Sequence, residues 1–268
     1  MTLATRRPPL YGDRYHGRVG VVTGASAGLG AQLCLDLANA GATVVGLARN
    51  APRLAALSEL LHTVSPASHT MVCDVAECDA LRATLASVID RYGRIDLLIN
   101  NAAQDPGVRL ADITSEDFRH TFDVNFFAPV AATLAVLPSM RARGSGTIVN
   151  VSSDGGRLPS PGPGAYSASK AALSAFSEST SFRLAPQGIH VHVVYPAFMA
   201  TELGLGALRR GLRRPPGLTV RRVERVSRMI LARAGGSSLE ISASRLIDVA
   251  MVFRYLLPRA YHRARKSW

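Results

Sequence analysis

The sequence contains little cysteine, little lysine and no long apolar run. The three cysteines, Cys34, Cys73 and Cys78, are too few for a disulfide framework and lack the spacing of a metal site. The longest apolar candidate, Phe126 to Pro138, is shorter than the roughly 18 residues that a membrane span requires. The basic N-terminus has no apolar stretch of the kind found in secretory signals. These absences argue against a secreted disulfide scaffold, and we expect a reducing, cytoplasmic setting and no bound metal.

The length and composition indicate a folded domain. The chain has 268 residues, of which 47% are apolar and 19% are charged. That apolar fraction is sufficient to bury a core, and one α/β domain of this size is ordinary. We expect an N-terminal extension over residues 1–16 and a single domain over residues 17–268.

The excess positive charge is confined to the last quarter of the chain. Residues 1–206 contain 16 basic and 16 acidic residues, whereas residues 207–268 contain 15 basic and 3 acidic ones, which accounts for the net charge of +12. Three interpretations are open. The arginines form a solvated face, or amphipathic helices within residues 219–268 lie on an anionic membrane surface. Alternatively, an acidic substrate is attracted by arginines of a lid, namely Arg209, Arg210, Arg213 and Arg214. No aromatic or motif pattern indicates nucleic-acid binding.

Short apolar runs alternate with helical patterns along the first 200 residues. This alternation predicts an α/β fold with a Rossmann-type doubly wound parallel sheet and helices on both faces. Six strands are predicted, over Val19–Thr23, Thr43–Leu47, Thr70–Cys73, Ile95–Ile99, Thr147–Val151 and Ile189–Val194. Further along, the composition predicts a loop over 154–164, helices over 219–233 and 243–257, and a short strand over 239–242. Residues 201–218 are predicted to be irregular or partly helical, and residues 198–218 are expected to form a lid over the site.

A glycine-rich turn follows the first strand and opens the first helix. Its sequence, Thr23-Gly24-Ala25-Ser26-Ala27-Gly28-Leu29-Gly30, has the spacing G-x-x-x-G-x-G. Glycines in such a turn let the backbone approach a pyrophosphate, which then lies at the positive end of the helix. In this strand-turn-helix context the turn favours nucleotide binding over a plain tight turn.

The residues after the second and third strands bear on which nucleotide is bound. Folds that prefer NAD usually carry a carboxylate at the end of the second strand, whereas this chain has Ala48 and Arg49 there. A guanidinium can pair with a 2′-phosphate, which predicts a roughly tenfold to hundredfold preference for NADP over NAD. Asp74, after the third strand, either accepts a hydrogen bond from the adenine amino group or caps the following helix.

A tyrosine and a lysine four residues apart indicate proton transfer. Tyr166 and Lys170 share one face of a predicted helix, and Ser153 precedes them at the end of a strand. A neighbouring ammonium favours the phenolate. We therefore expect Lys170, together with a positively charged oxidised nicotinamide, to lower the pKa of Tyr166 from about 10 to about 7. Such a phenol is a general acid for carbonyl reduction and a base for alcohol oxidation.

From about Gly17 to Thr201 the chain resembles the short-chain dehydrogenase/reductase family. The family's T-G-x-x-x-G-x-G corresponds to Thr23–Gly30, and its N-N-A-G appears as Asn100-Asn101-Ala102-Ala103. The family's catalytic residues match Asn125, Ser153, Tyr166 and Lys170. Its P-G-x-x-x-T appears as Pro196 to Thr201. Two alanines therefore occupy positions where the family has glycine, Ala103 in the N-N-A-G motif and Ala197 in the P-G-x-x-x-T motif. Each adds a methyl group near the expected cofactor, and a glycine used at positive φ is costly to replace.

The resemblance implies a mechanism and a set of cofactor contacts. Hydride passes between nicotinamide C4 and a carbonyl carbon, while Ser153 hydrogen-bonds the carbonyl oxygen and Tyr166 transfers the proton. Lys170 tunes Tyr166 and holds the nicotinamide ribose, and Asn125 positions a water that links Lys170 to solvent. The implied cofactor-binding residues are Gly24, Ser26, Gly28, Leu29, Gly30, Arg49, Asp74, Val75, Asn101, Tyr166, Lys170 and Thr201.

The resemblance also implies which coenzyme and substrate the protein uses and how its subunits assemble. We expect NADP as the preferred coenzyme with NAD as the alternative, a small carbonyl or alcohol substrate, and a homodimer or homotetramer formed by the helices that follow Asn125 and Tyr166. A lipophilic substrate is favoured by apolar residues around the expected pocket, namely Leu158, Phe198, Met199 and Leu203. The rival interpretations are a non-catalytic NADP-binding regulator and an epimerase or dehydratase on the same fold.

Overall fold

The computed structural model describes residues 11–108, 111–159, 164–209 and 217–266. Seven parallel strands form one sheet in the order β3-β2-β1-β4-β5-β6-β7. The strands are β1 Val19–Thr23, β2 Thr43–Ala48, β3 His69–Val72, β4 Leu97–Asn100, β5 Gly146–Val151, β6 Ile189–Tyr195 and β7 Glu240–Ser242. The strand order reverses between β1 and β4, which confirms the predicted doubly wound Rossmann-type sheet.

Helices connect the strands and cover both faces of the sheet. In the described residues they are α1 Gly28–Asn39, α2 Ala51–Val64, α3 Cys78–Tyr92, α4 Ser115–Phe122, α5 Ala128–Arg143, α6 Asp154–Arg157, α7 Gly164–Leu184, α8 Glu202–Arg209, α9 Val223–Arg233, α10 Arg245–Leu256 and α11 Pro258–Lys266. A π-helical segment over Asp123–Phe127 joins α4 to α5, and short 3-10 turns lie over Ala185–Gln187 and Gly217–Thr219.

The central strands are apolar along their whole length because both of their faces are buried. Successive side chains of a strand point to opposite faces, so Val22 packs with α1, α2 and α9, whereas Val21 packs with α3 and α5. Two hydrophobic clusters therefore lie on the two faces of one sheet. This is the arrangement that near-continuous apolar strands predict.

The stretch Ser115–Arg143 is one continuous helical run of 29 residues, and by length and composition it could cross a membrane. In its most apolar window, however, 56% of the residues are buried inside the fold. One such helix is weak evidence for a span, because the core helix of a globular domain passes the same test. Here α5 packs against β4, β5 and α3.

The structure after β5 differs in detail from the sequence prediction. The helix expected from Thr219 begins at Val223, because Thr219 ends a 3-10 turn and Val220 pairs with Phe198 in an isolated β-bridge. The predicted loop over 154–164 opens with the single helical turn α6. Residues 160–163 of that loop and residues 210–216 of the predicted lid, with Arg210, Arg213 and Arg214, lie outside the described residues.

Part of the predicted N-terminal extension packs against the domain. The Tyr15 hydroxyl donates a hydrogen bond to Leu231 O at 2.6 Å, and Arg14 Nη1 donates to Ala232 O at 2.8 Å, so residues 11–16 are attached to the end of α9. Residues 1–10 lie outside the described residues.

Candidate active site

The parallel sheet brings the candidate site residues to one edge. All strands run in the same direction, so their carboxyl ends share an edge, and the crevice at the reversal of strand order is the usual ligand site of such sheets. The residues that follow β1, β2, β4, β5 and β6 at this edge include Gly24, Arg49, Asn101, Ser153 and Pro196.

The glycine turn is built so that side chains would not fit. Gly24 has φ +67°, and a Cβ on it would lie 2.8 Å from Ala102 Cα. A Cβ on Gly30 would lie 2.2 Å from the carbonyl oxygen of Gly24. Helix α1 starts at Gly28 with no acidic residue in its first turn, so its positive end faces this turn unneutralised. The turn therefore fits the pyrophosphate of a dinucleotide.

Thr23 and Asn101 join the glycine turn to the end of β4. The Thr23 Oγ1 atom accepts hydrogen bonds from the backbone N–H groups of Asn101 and Ala102, each at 3.0 Å. In return, Asn101 Nδ2 donates to Thr23 O at 2.9 Å. Asn101, which was predicted to contact the cofactor, thus fixes the shape of the turn.

Arg49 and Asp74, both predicted to contact the nucleotide, are paired with each other. Arg49 Nη1 lies 3.4 Å from Asp74 Oδ2, and both side chains remain accessible to solvent. The other Asp74 oxygen accepts a hydrogen bond from the N–H of Ala76 at 3.0 Å. Helix α3 begins only at Cys78, after Glu77 at the N-cap position, so the alternative prediction that Asp74 caps this helix is wrong.

Thr201 brings the lid segment against the glycine turn. Its Cγ2 atom lies 3.1 Å from the position that a Cβ on Gly28 would take. The next residue, Glu202, accepts two hydrogen bonds of 2.7 Å from the guanidinium of Arg53 at the start of α2. The lid helix α8 is therefore tied to the half of the sheet that carries Arg49.

Ser153, Tyr166 and Lys170 come together where β5 ends and α7 begins. The Ser153 hydroxyl accepts the N–H of Gly155 at 3.1 Å. Around the position that a Cβ on Gly155 would take, Ser153 Oγ lies at 3.4 Å and Tyr166 Cε1 at 3.9 Å. The Nζ atom of Lys170 lies 6.0 Å from the centre of the Tyr166 ring and donates to Val151 O at 2.8 Å. Lys170 is 1% exposed. The three side chains that the Y-x-x-x-K spacing and Ser153 predicted are thus neighbours.

The predicted lowering of the Tyr166 pKa is not what the protein's own groups produce. Burial raises the pKa of Tyr166 to about 12, opposed by the Ser153 hydrogen bond and reinforced by the charges of Asp105 and Asp154. Burial lowers the pKa of Lys170 to about 7. Both shifts have one cause, because removing a group from water disfavours its charged form. The expectation counted the neighbouring ammonium and the charge of a bound oxidised nicotinamide, and it left out the burial of both groups.

Asn125 lies in the π-helical segment and is completely buried. Its Nδ2 donates to Gln104 O at 2.8 Å and to Ser169 Oγ at 3.0 Å, and its Oδ1 accepts the N–H of Gln104 at 2.8 Å. The side-chain amide protons are therefore both used to clamp the segment after β4 onto α7. π-helical insertions of this kind frequently occur at functional sites.

Sequence reasoning missed Arg157, which fixes the segment after Ser153. Its guanidinium, 7% exposed, lies 2.9 Å from Asp154 Oδ1, 3.4 Å from Glu240 Oε2 and 3.1 Å from Asp248 Oδ1. An arginine inside a Gly/Pro-rich stretch was the available signal, but its partners on β7 and α10 are distant in the sequence. Gln104 was missed because its contact with Asn125 is made by the backbone.

Comparisons with known proteins identify related sequences and structures. A model of the short chain dehydrogenase family matches residues 18–207. A short chain dehydrogenase from Pseudocercospora fijiensis is 34% identical over 202 residues, which are 74% of this chain and 64% of that protein. The match to dehydrogenase/reductase SDR family member 7B from Xenopus laevis is 31% identical over 253 residues, or 90% of this chain and 78% of that protein. The chain thus spans less than two thirds of the length of the fungal relative.

Solved structures with the same fold carry either nicotinamide coenzyme. A short-chain dehydrogenase from Streptomyces avermitilis is 30% identical, with a TM-score of 0.79 over 94% of this chain and 97% of that one. Two further structures are each 25% identical. They are a variant of actinorhodin polyketide ketoreductase with NADPH, with a TM-score of 0.78 over 85% and 96% of the two chains, and NAD+-bound xylitol dehydrogenase, with 0.77 over 86% and 98%. The family match over residues 18–207 and these relatives establish that the chain belongs to the short-chain dehydrogenase/reductase family.

Proposed function

We propose that the protein is an NADP-dependent oxidoreductase that transfers hydride between the nicotinamide and a carbonyl or alcohol substrate. The observation that carries the proposal is the proximity of the Ser153 hydroxyl and the Tyr166 ring beside buried Lys170, on the sheet edge that also holds the glycine turn. Loss of Tyr166 or Lys170 would favour the rival interpretation of a non-catalytic NADP-binding regulator, and both residues are present. No specific observation favours the other rival, an epimerase or dehydratase.

The chain's own residues supply the proton chemistry. Ser153 donates a hydrogen bond to the substrate oxygen, and Tyr166 gives that oxygen its proton in reduction and takes the proton back in oxidation. The raised pKa keeps Tyr166 protonated at neutral pH, which is the form that reduction requires. Lys170 holds the nicotinamide ribose, and its lowered pKa lets it exchange a proton near neutrality. The bound coenzyme supplies the hydride acceptor or donor.

The residues at the glycine turn and at the end of β2 fit a dinucleotide with a 2′-phosphate. Gly24, Gly28 and Gly30 would lie along the pyrophosphate, with Thr201 opposite them. The accessible Arg49 guanidinium would bind the 2′-phosphate by exchanging its contact with Asp74 for a stronger charge-assisted one. NAD remains the second coenzyme, bound without that contact. Asn125 would hold a water near Lys170 through its backbone, because its amide protons are already used.

The proposed substrate is a small lipophilic carbonyl or alcohol compound. Leu158, Phe198, Met199 and Leu203 lie on the segments that follow β5 and β6, and each is only partly buried. A half-buried apolar wall leaves surface for a ligand to cover.

The proposed assembly is a homodimer or homotetramer. Large apolar side chains remain exposed along the helices that surround Asn125 and follow Tyr166, namely Phe118, Phe127, Leu134 and Phe182. Exposed apolar surface of this kind marks protein interfaces in many soluble proteins. The proposed setting is the cytoplasm. Contact with a membrane would involve a different surface, formed by the C-terminal helices.

The decisive experiment compares Tyr166→Phe with Tyr92→Phe. Turnover of a panel of ketones and alcohols with NADPH or NADP should fall at least a thousandfold in Tyr166→Phe, while NADPH binding, followed by fluorescence, persists. Tyr92 donates to Ala67 O far from the site, so its variant should behave as the wild type. Unchanged turnover in Tyr166→Phe would refute the assigned role. Turnover that changes the substrate without net change in NADPH absorbance would favour an epimerase or a dehydratase.

A further inference from the structure

Helix α10 presents an apolar face to solvent. None of its twelve residues is buried. Leu246, Val249, Val252, Phe253 and Leu256 recur at helical spacing, and with Leu257 just after the helix they form what we term the C-terminal face. Their exposed fractions lie between 39% and 73%. In a globular domain the apolar stripe of a helix normally packs against the core, whereas this stripe has no such packing in the described residues.

Two charged side chains of α10, Asp248 and Arg254, instead contact the body of the protein. Asp248 forms an ion pair with Arg157 at 3.1 Å and accepts a hydrogen bond from Ser242 Oγ at 2.7 Å. Arg254 donates a hydrogen bond to the carbonyl oxygen of Arg157. Because these contacts fix the orientation of the helix, it cannot rotate to bury the C-terminal face without breaking them.

Positive charge borders this face. Residues 245–266 contain six basic residues and one acidic residue, and the acidic one, Asp248, is paired with Arg157. Arg245 at the start of α10 is exposed, as are Arg259 and Arg263 on α11. An apolar stripe with an arginine border is complementary to a surface that is apolar inside and anionic outside.

The apolar surface continues beyond the helix. The 3-10 turn over Gly217–Thr219 packs against α10, and its Leu218 side chain is 77% exposed. Arg221 links the two, because its side chain donates to Leu218 O at 2.7 Å and to Ala243 O at 2.9 Å. The surface thus extends to Leu218, the last residue of the lid segment.

A second copy of the chain fits this face poorly. Pairing two C-terminal faces would bring two arginine-rich segments together, and like charges at an interface oppose association. The apolar side chains proposed for self-association, such as Leu134 and Phe182, belong to α5 and α7 instead.

We propose that the C-terminal face and its bordering arginines dock the protein onto the surface of an anionic phospholipid bilayer. The apolar side chains enter the interface between headgroups and acyl chains, and Arg245, Arg259 and Arg263 pair with lipid phosphates. Docking holds the end of the lid segment next to the bilayer. A lipophilic substrate could then reach the site from the membrane, and that last consequence rests on the proposed function.

The test measures binding of the full-length protein to vesicles by flotation. Wild-type protein should float with vesicles that contain phosphatidylglycerol and remain largely unbound with pure phosphatidylcholine. The double variant Val249→Asp/Leu256→Asp should reduce binding to the anionic vesicles at least tenfold. The matched control, Leu60→Asp/Val64→Asp, changes two exposed apolar residues of α2, which packs at the opposite edge of the sheet, and should bind as the wild type.

A second variant tests the charged border without altering the apolar residues. Arg259→Gln/Arg263→Gln changes only exposed positions and should lower binding several-fold at low salt, with a smaller difference at 0.5 M salt. Arg82→Gln/Arg91→Gln on α3 is its control. Failure of the wild type to bind anionic vesicles, or equal binding by the α10 variant, would overturn the proposal. So would a reduced oligomeric state of the α10 variant with unchanged vesicle binding, since the face would then be a protein interface. Oxidoreductase activity enters none of these readouts.

Discussion

The guanidinium carbon of Arg157 lies 3.5 Å from the centre of the Tyr195 ring, so that the cation at the end of α6 stacks on the last residue of β6. In the same place the guanidinium pairs with Asp154, Glu240 and Asp248. One side chain thereby joins the segment after Ser153 to β6, β7 and α10. Arg157 is a positioning residue, since it acts on the site through Asp154 and the backbone that carries Ser153.

Replacing Arg157 with Met should lower the free energy of unfolding by about 3 kcal/mol, because Asp154 would keep a largely buried carboxylate without its cation. Urea unfolding followed by circular dichroism measures this. Arg157→Lys should recover part of the loss, since it restores the charge but not the planar stacking on Tyr195. Arg82→Met removes an exposed ion pair on α3 and should cost less than about 1 kcal/mol. Equal losses in Arg157→Met and Arg82→Met would contradict this role.

Replacing Arg49 with Ala should reduce kcat/KM for NADPH by about tenfold to a hundredfold, because a charge-assisted hydrogen bond contributes about 1.5–3 kcal/mol. The value for NADH should stay within about twofold, since NADH has no 2′-phosphate to bind. Initial rates with each coenzyme at a fixed substrate concentration measure the ratio. An equal fall in kcat/KM with both coenzymes would mean that Arg49 supports the fold of this edge of the sheet and does not bind the 2′-phosphate.

Lys170 should make stability depend on pH. Its pKa is lowered to about 7 in the folded protein, against about 10.4 in the unfolded chain. Between these values the unfolded state binds a proton that the folded state does not, so the free energy of unfolding should increase with pH, by up to about 1.4 kcal/mol per unit. The increase should be seen in urea unfolding from pH 7 to 9 without added coenzyme, as the difference between the wild type and Lys170→Met. Parallel curves for the two proteins would show that Lys170 stays charged.

Replacing Ala197 with Gly should stabilise the protein by about 0.5–1 kcal/mol. In the described residues Ala197 is the one non-glycine residue with positive φ, at 61°, where an L-residue pays about 1–2 kcal/mol and glycine does not. Part of the gain is lost because glycine is freer in the unfolded chain. Ala103→Gly is the matched control. Ala103 also stands at a family glycine, but its φ is not positive, so the same change should destabilise the protein by about 0.5–1 kcal/mol. Thermal unfolding of both variants should therefore give shifts of opposite sign.

The parts of the site that sequence analysis predicted correctly are local patterns. Tyr166 and Lys170 lie on one face of α7 because residues four apart on a helix always do. The glycine turn and the parallel sheet follow from similar short-range rules, since a buried strand, a tight turn and a helix start each leave a mark within a few residues.

The parts that sequence analysis missed depend on distant contacts. Arg157 meets Glu240 across 83 positions of the chain, and no pattern near Arg157 indicates it. The burial that raises the pKa of Tyr166 in the protein without coenzyme was missed for a related reason, because spacing shows which groups are neighbours but not how much water surrounds them. Of the two alanines at family glycine positions, only Ala197 has the backbone conformation that makes the replacement costly.

The partners of Arg157 also set an order of events during translation. Glu240 follows Arg157 by 83 positions and Asp248 lies further on, whereas the glycine turn and strands β1 to β5 precede Arg157. A nascent chain can therefore assemble most of the half that carries the glycine turn before the segment after Ser153 has formed its contacts with β7 and α10. The backbone that follows Ser153 therefore acquires its ion pairs with Glu240 and Asp248 only after β7 and α10 have been synthesised.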